Sequence, residues 1–273
     1  MTTKSLFLAI LCLSGQTAMA QRIVYSQDSP KVVVALPDSV ADGRAVVLCP
    51  GGGYGHAAKD KEADDWIPFF TKQGIAVATL KYDLPNGNRN IPLSQVHDVF
   101  TLLKKKAGEW NIDTTKIGIM GFSAGGHLAS AYATHQSPAL RPAFQIYLYP
   151  VIMLNTKRHQ GMAKKFLGTQ DKAEEDEWSS NLKVDSLQTP TFLALSADDK
   201  IIDTQNAINY YTAMIQHDLP ASLHIYPDGG HGWGISKSFP HRDLMLQELT
   251  AWLKWIASPA VKAFSTHKPT DRK

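Results

Sequence analysis

Short apolar runs alternate with amphipathic segments along most of this chain. Most of the runs are continuous rather than alternating with polar residues, which is typical of strands that are covered on both faces. The sequence therefore predicts seven strands, at Val32–Leu36, Ala45–Cys49, Ile75–Leu80, Lys116–Met120, Phe144–Tyr149, Thr191–Ser196 and Ser222–Tyr226.

The segments between these runs have the spacing of helices that bury one face. Apolar residues recur at positions i, i+3, i+4 and i+7 in several places, which predicts amphipathic helices there. The sets are Ala63, Trp66, Ile67 and Phe70; Val96, Val99, Phe100 and Leu103; Ala207, Tyr210, Tyr211 and Met214; and Leu249, Trp252, Leu253 and Ile256. Alternating strands and helices predict an α/β fold with a mostly parallel central sheet and helices on both faces.

The same pattern predicts a single α/β domain over residues 21–258. The chain has no internal repeat and no long linker. Residues 155–188 are the irregular part, with charge concentrated at Asp171–Glu177, and we interpret them as a cap or a loop insertion over the sheet. Periodicity is lost after Pro259, which predicts a flexible C-terminal tail over residues 259–273.

The first twenty residues have the features of a secretory signal peptide. Lys4 supplies a positive charge, Leu6–Leu13 is an apolar run, and Ala18-Met19-Ala20 is a small-x-small cleavage site. The alternative is a membrane anchor, but a spanning helix needs about 20 apolar residues. We therefore expect cleavage before Gln21, a periplasmic or extracellular location, and no membrane attachment after cleavage.

Composition narrows the classes of protein that this chain can be. It has 273 residues, of which 44% are hydrophobic and 19% charged, and those proportions exclude a disordered chain. The 28 basic residues nearly balance the 25 acidic ones, so charge gives no reason to expect nucleic acid as a partner. Two cysteines, Cys12 and Cys49, are too few for a disulfide framework or a multi-cysteine metal site. The apolar neighbours of Cys49 predict a buried, inert thiol.

A motif with chemical meaning follows the fourth predicted strand. Gly121-Phe122-Ser123-Ala124-Gly125 lies between that strand and a helix start, and it matches the G-x-S-x-G nucleophile elbow in the strand–turn–helix context that the motif requires. Small residues are needed because side chains at Gly121 and Gly125 would collide with the neighbouring strand and helix. The alternative is a turn rich in small residues that serves packing only.

A glycine-rich loop follows the second predicted strand. Pro50-Gly51-Gly52-Gly53-Tyr54 resembles the H-G-G-G oxyanion loop, with proline in place of histidine, and it would offer backbone N–H groups to a tetrahedral intermediate. The second donor of such a site would be the N–H of Ala124, directly after the nucleophile. A rival interpretation is a dinucleotide fingerprint at Gly53-x-Gly55-x-x-Ala58. The acidic residue that this fingerprint requires, Asp83, comes later than expected.

A serine nucleophile needs a base, and the base needs an orienting carboxylate. The chain order serine, acid, histidine is met by Asp198-Asp199 after the sixth predicted strand and by His231 on a glycine-flanked loop after the last one. Only one of the adjacent aspartates can point inward, and we favour Asp199. The remaining alternatives are Asp203 or Asp228 as the acid, and His56 as a further histidine near the site.

Taken together, these motifs resemble the secreted bacterial α/β-hydrolases of the acetyl xylan esterase and feruloyl esterase type. The resemblance extends from about Arg44 to Trp255, and it implies the α/β-hydrolase fold and a carbohydrate esterase. It also implies a triad of Ser123, Asp199 and His231 and oxyanion donors at Gly52, Gly53 and Ala124. The residues that carry it are Cys49-Pro50-Gly51-Gly52-Gly53-Tyr54, Leu80-Lys81-Tyr82, Gly121-Phe122-Ser123-Ala124-Gly125-Gly126-His127-Leu128-Ala129, Tyr149-Pro150-Val151-Ile152, Ala197-Asp198-Asp199-Lys200 and Gly229-Gly230-His231-Gly232.

The chain departs from the pattern of that family at a few positions outside the triad. Asp83 stands where an arginine is frequent, Ser179-Ser180 where Ser-Pro is frequent, and Asp203 where a proline is usual. These departures leave the substrate-contact surface less well defined than the hydrolytic chemistry.

The expected reaction is acyl transfer to water through an acyl-enzyme on Ser123, with no metal or organic cofactor. The expected substrate is an acylated carbohydrate, most simply acetylated xylan, or a small ester. Tyr54 and Trp233 flank the predicted site and would either contact substrate or serve ordinary aromatic packing. The alternatives are a feruloyl or small-ester esterase, a serine peptidase or lipase on the same fold, and a non-catalytic binding protein. The sequence leaves the oligomeric state open.

Overall fold

A single sheet of eight strands forms the centre of the computed structural model, which describes residues 21–26, 31–37, 41–56 and 60–258. The predictions for residues 1–20 and 259–273 lie outside these ranges. In space the strands follow the order β1-β2-β4-β3-β5-β6-β7-β8. Their bounds are β1 Gln21–Ser26, β2 Lys31–Leu36, β3 Ala45–Cys49, β4 Ala76–Lys81, β5 Ile117–Phe122, β6 Gln145–Leu148, β7 Thr191–Ser196 and β8 Ala221–Tyr226.

The direction of the strands decides where loops can meet. Strand β1 pairs antiparallel with β2, and β2 pairs antiparallel with β4. The pairs β3–β4, β3–β5, β5–β6, β6–β7 and β7–β8 are all parallel. The loops that follow β3, β5, β7 and β8 therefore leave the sheet at the same end, and the predicted site residues lie on these loops or directly after them.

Strand β1 is the one that the sequence pattern did not predict. Its segment, QRIVYS, is short and lacks the continuous apolar run of the central strands. It occupies the outer edge of the sheet, beside β2 alone. An edge strand needs less apolar surface than a central one, which explains the weak signal.

Helices cover the sheet and bury the faces that their periodicity predicts. Val96, Val99, Phe100 and Leu103 are all buried on α2. The first predicted helix is shorter than its pattern, because Pro68 favours a helix start at Ile67 and the residues before it form 3₁₀ turns. The helices are α1 Ile67–Thr71, α2 Asn90–Lys105, α3 Ala107–Trp110, α4 Ala124–His135, α5 Gln160–Leu167, α6 Lys172–Glu177, α7 Gln205–Gln216 and α8 Arg242–Ile256.

The segment of residues 155–188 contains no strand, as predicted, and its regular secondary structure consists of α5, α6 and short 3₁₀ turns. Phe166 of α5 is fully buried and its ring lies 5.0 Å, centroid to centroid, from that of Tyr54. Trp178 packs against the same phenylalanine at 5.8 Å. The insertion is therefore tied to the loop after β3 through aromatic contacts.

The thiol of Cys49 is buried, as its apolar neighbours predict. Cys49 ends β3 and is fully buried, and burial raises the pKa of its thiol far above the usual range. No helix among the described residues is long and apolar enough to cross a bilayer.

Candidate active site

Ser123 lies in the sharp turn between β5 and α4, in a backbone conformation that few residues adopt. Its φ of 50° and ψ of −120° are unfavourable for a side chain with a Cβ, and such strain is concentrated at functional sites. The surrounding backbone holds it there. The Ser123 N–H donates to the carbonyl of Leu148 at 3.2 Å, and its carbonyl accepts from Gly126 and Val151 at 3.0 and 2.9 Å.

The glycines of the elbow are required by close backbone approach. A Cβ at Gly121 would lie 2.3 Å from the carbonyl oxygen of Gly125, and a Cβ at Gly125 would lie 2.0 Å from the carbonyl oxygen of Cys49. Both distances are far inside van der Waals contact. The start of α4 is thereby pressed against the end of β3, where the glycine-rich loop begins.

We expect Gly125→Ala to destabilise the protein by about 3 kcal/mol or more, because the added methyl group must displace backbone rather than a side chain. Gly161→Ala is the matched control. Gly161 lies on α5, and a Cβ there would meet nothing within 4 Å, so that variant should be neutral or more stable by up to about 1 kcal/mol. Urea unfolding of both variants checks the difference, and equal stabilities would contradict it.

Three side chains from three different loops meet beside the elbow. The Oγ of Ser123 lies 2.9 Å from Nε2 of His231, and Nδ1 of His231 lies 2.7 Å from Oδ2 of Asp199. Because a carboxylate only accepts, the proton of a neutral His231 belongs on Nδ1. Nε2 is then free to accept the hydroxyl proton of Ser123.

Asp199 is held as a carboxylate by the groups around it. Burial acts to raise its pKa, but the hydrogen bond from His231 and the backbone N–H groups of Ile202 and Ile201 more than offset it, so the pKa is lowered. The two amides donate to Oδ1 at 3.0 and 2.8 Å. Oδ2 is thereby left for the imidazole.

The other acidic candidates point elsewhere. Asp198 accepts from the N–H of Gly230 at 2.8 Å, so it braces the loop that carries His231. Asp203 accepts from the amide of Gln205, and Asp228 pairs with His241 at 2.5 Å. Of the candidate acids, the structure brings only Asp199 against His231.

The glycine-rich loop passes directly beside Ser123. A Cβ at Gly51 would lie 3.1 Å from the Cβ of Ser123. Gly52 and Gly53 have φ values of 126° and 59°, in the left-handed region that favours glycine. No acceptor among the described residues engages the amides of Gly52 and Gly53. Ala124 is the first residue of α4, where a helix leaves its N–H without an intrahelical acceptor.

His56, the further histidine near the site, lies on the exposed side of the glycine-rich loop. Its backbone N–H donates to the carbonyl of Gly52 at 3.2 Å, and the residue is exposed. In the described part of the chain no contact joins its ring to Ser123. Among the histidines that the structure describes, only His231 has its ring within hydrogen-bond distance of the Ser123 hydroxyl.

The two aromatic candidates for substrate contact are both buried. Tyr54 is 2% exposed and Trp233 is 4% exposed. Trp233 stacks on Phe239 at 4.1 Å, and its Nε1–H donates to Oγ of Ser196 at 3.0 Å. This placement favours packing, the second of the two interpretations given for these residues.

Tyr54 has a specific buried partner in His127 of α4. The tyrosine oxygen lies 2.8 Å from Nδ1 of His127, and Nε2 of the same ring lies 2.8 Å from the carbonyl oxygen of Trp178. Since a carbonyl only accepts, His127 donates from Nε2 and accepts from Tyr54 at Nδ1. The pair joins the glycine-rich loop to the elbow helix and to the insertion. Burial lowers the pKa of His127 to about 4.

This buried histidine predicts a loss of stability in acid. Its pKa is about 4 in the folded chain against 6.5 ordinarily, so the unfolded chain binds the proton first as the pH falls. Stability attributable to His127 is complete above pH 6.5 and is lost as the pH falls to 4, by roughly 3 kcal/mol. His127→Gln retains one donor and one acceptor without titrating. Urea unfolding at pH 7 and pH 4 should show a larger loss in the parent protein than in the variant, and equal losses would contradict the assignment.

Two buried residues that the sequence analysis missed complete the surroundings of Ser123. Glu62 accepts from the N–H of Gly51 and from the hydroxyl of Tyr149, each at 2.9 Å. Glu62 falls within a charged run, Asp60 to Asp65, which is typical of a solvated surface. Its burial follows only from the tertiary structure.

Within the described residues, no three His, Cys, Asp or Glu side chains come together in a way that could hold a metal ion.

Comparisons with known proteins agree with the fold. The BD-FAE family matches residues 34–148. An acetylxylan esterase of Xylanibacter ruminicola is 37% identical over 263 residues, which are 93% of this chain and 54% of that protein. Endo-1,4-beta-xylanase B of Butyrivibrio fibrisolvens is 26% identical over 70% of this chain and 32% of its own length. The chain thus spans about half of the first of these curated relatives and about a third of the second.

A solved structure is similar to this chain over most of its length. The crystal structure of an acetyl ester-xyloside bifunctional hydrolase from Caldicellulosiruptor lactoaceticus has a TM-score of 0.78 and 28% sequence identity. The match covers 89% of this chain and 98% of that one.

The sheet order and the elbow define an α/β-hydrolase. Within that class, the comparisons confirm the resemblance to the acetyl xylan esterase and feruloyl esterase type. Over most of its length the chain is similar to an acetylxylan esterase and to an acetyl ester-xyloside bifunctional hydrolase.

Proposed function

We propose that this chain is a serine carboxylesterase that removes acyl groups, chiefly acetyl, from plant polysaccharide such as xylan. The observation that carries the proposal is the hydrogen-bonded series from Ser123 through His231 to Asp199, at 2.9 and 2.7 Å. The names of the relatives, an acetylxylan esterase and an acetyl ester-xyloside hydrolase, support the choice of ester.

The first half of the reaction forms an acyl-enzyme. His231 Nε2 takes the hydroxyl proton while Ser123 Oγ attacks the ester carbonyl, and the carbonyl oxygen becomes an oxyanion. Asp199, which is a carboxylate because its pKa is lowered, stabilises the resulting imidazolium. The imidazolium then protonates the departing sugar oxygen as the tetrahedral intermediate collapses.

The second half repeats these steps with water. His231 removes a proton from water, the hydroxide attacks the acyl carbon, and the proton returns to Ser123 Oγ as acetate leaves. In both halves the amides of Gly52, Gly53 and Ala124 are proposed to donate to the oxyanion. Loss of one such donor typically costs about 10²- to 10³-fold in rate.

Acetate release from acetylated xylan tests the proposed substrate. The protein without residues 1–20 should release acetate, and the same protein carrying Ser123→Ala should not. If 4-nitrophenyl acetate is cleaved while neither acetylated xylan nor its oligosaccharides lose acetate, the xylan assignment is wrong, and feruloyl or other small esters become the substrates to assay. If no ester is cleaved, the esterase proposal itself fails.

We also propose that the chain acts outside the cytoplasm, because residues 1–20 have the charge, apolar run and cleavage site of a signal peptide. Expression of the full chain in a bacterial host, followed by N-terminal sequencing of the exported protein, should give Gln21 as the first residue. Recovery of an uncleaved chain in the cytoplasm would contradict this.

A further inference from the structure

Glu62 is a buried carboxylate without a cationic partner in the described structure. The residue is 7% exposed, and no ion pair joins it to a lysine, arginine or histidine among the described residues. Its two oxygens accept one hydrogen bond each, from the Gly51 amide and the Tyr149 hydroxyl. Burying a charge with so few partners is costly. The burial of Glu62 near the nucleophile therefore indicates a role that offsets this cost.

Tyr149 extends the contact from Glu62 to the loop that carries His231. Its hydroxyl donates to Oε1 of Glu62 and accepts from the N–H of Gly234 at 2.8 Å. The tyrosine ring lies 5.0 Å from that of His231, centroid to centroid. Burial and the neighbouring carboxylate raise the pKa of Tyr149 well above its usual range, so the hydroxyl remains a donor.

The backbone next to Glu62 touches the same loop. The carbonyl of Lys61 accepts from the N–H of Ile235 at 3.2 Å, and a Cβ at Gly234 would lie 2.1 Å from that carbonyl oxygen. The 3₁₀ turn Asp60–Glu62 is therefore placed between the glycine-rich loop on one side and the histidine loop on the other.

We propose that Glu62, acting through Tyr149, is a positioning residue. It holds the loop of Gly51–Gly53 and the loop of His231–Gly234 in fixed positions relative to each other and to Ser123. The inference rests on the proposed function and deepens it. By engaging the Gly51 amide, Glu62 fixes the loop so that the next two amides remain for the oxyanion.

The charge of Glu62 excludes a more direct role. A negative charge close to Ser123 opposes a developing oxyanion, so Glu62 does not stabilise the transition state electrostatically. Its contribution is the geometry that it imposes on the Gly51 amide and, through the Tyr149 hydroxyl, on the Gly234 amide.

Steady-state kinetics on 4-nitrophenyl acetate test this role. Glu62→Ala should lower kcat about 100-fold or more, the effect of misplacing an oxyanion donor, while KM stays within about threefold because the substrate-contacting surface is unchanged. Glu62→Gln keeps the shape and one acceptor, so it should recover part of that loss. It also serves as the test if Glu62→Ala fails to fold.

Tyr149→Phe and Tyr147→Phe form a matched pair. Both remove a buried tyrosine hydroxyl from the same part of the sheet, but the Tyr147 hydroxyl donates to Gln145, away from either loop. Tyr149→Phe should lower kcat at least about tenfold, and Tyr147→Phe should lower the melting temperature while leaving kcat within about threefold. The double variant Glu62→Gln/Tyr149→Phe should lose less than the product of the two single losses, because the residues act as one unit.

The rate of modification by a fluorophosphonate separates failure of this inference from failure of the proposed function. The parent protein should be modified rapidly and Glu62→Ala about 100-fold more slowly, since phosphonylation of Ser123 uses the same oxyanion donors. Equal rates in the two proteins, or equal losses of kcat in Tyr149→Phe and Tyr147→Phe, would overturn the positioning role alone. A parent protein that is neither modified nor hydrolytic would overturn the esterase proposal and this inference with it.

Discussion

Replacing Ser123 by alanine is expected to lower kcat by about 10⁴- to 10⁶-fold with little change in fold. The hydroxyl is the only atom group lost, and its Oγ is the one that lies 2.9 Å from Nε2 of His231. The elbow glycines and the backbone bonds of Ser123 remain, so the variant should unfold at nearly the same urea concentration. Hydrolysis of 4-nitrophenyl acetate measures the loss.

Ser130→Ala is the control for that variant. Ser130 is a buried serine of α4, and its hydroxyl hydrogen-bonds with the Ser180 hydroxyl and with the carbonyl of His127 rather than with His231. Its loss should cost stability but leave kcat within about threefold. If Ser123→Ala retained a tenth of the parent activity, Ser123 could not be the nucleophile.

Asp199→Asn is expected to lower kcat about 10⁴-fold, the second largest effect. An amide at this position can present its NH₂ group to Nδ1 of His231, which favours the tautomer with the proton on Nε2. That tautomer cannot accept the hydroxyl proton of Ser123. The imidazolium formed during the reaction also loses its neighbouring negative charge.

The adjacent aspartate provides the matched control for the second prediction. Asp198→Asn keeps an oxygen for the Gly230 amide, which is its partner at 2.8 Å, so kcat should stay within about fivefold of the parent value. The same hydrolysis assay compares the two variants. A larger loss in Asp198→Asn than in Asp199→Asn would reverse the assignment of the acid.

Most of the fold could be predicted because its central strands are covered on both faces. Continuous apolar runs such as Ala45–Cys49 and Thr191–Ser196 agree with the structure residue for residue. The α/β fold with a mostly parallel sheet is confirmed. The pattern failed at the edge strand Gln21–Ser26, which lacks a continuous apolar run, and at Tyr149, where a φ of 38° follows the end of β6 at Leu148.

The site residues that lie in local motifs could be predicted from the sequence. Ser123 and the glycines around it follow one strand and open one helix, so the motif and its structure coincide. Which of Asp198 and Asp199 is the acid depends on the direction of their side chains, which the sequence alone does not fix. In the structure, the hydrogen bond to His231 identifies Asp199. The roles of these residues in hydrolysis stay predictions.

Tertiary contacts account for what the sequence could not indicate. Tyr54 and Trp233 flank the site along the chain, yet both side chains turn inward and pack. Glu62 also differs from its sequence-based expectation. It lies in a charged run, which predicts exposure, but the fold buries it against Gly51 and Tyr149. Neither outcome follows from spacing or composition, because each depends on loops that are distant in sequence.

The most direct test of the account is to identify the residue that a fluorophosphonate modifies. The parent protein should gain the mass of one phosphonyl group, peptide mass spectrometry should place it on Ser123, and Asp199→Asn should be modified far more slowly than Asp198→Asn. An adduct on any other residue, or an intact protein whose mass does not change, would contradict Ser123 as the nucleophile of an esterase.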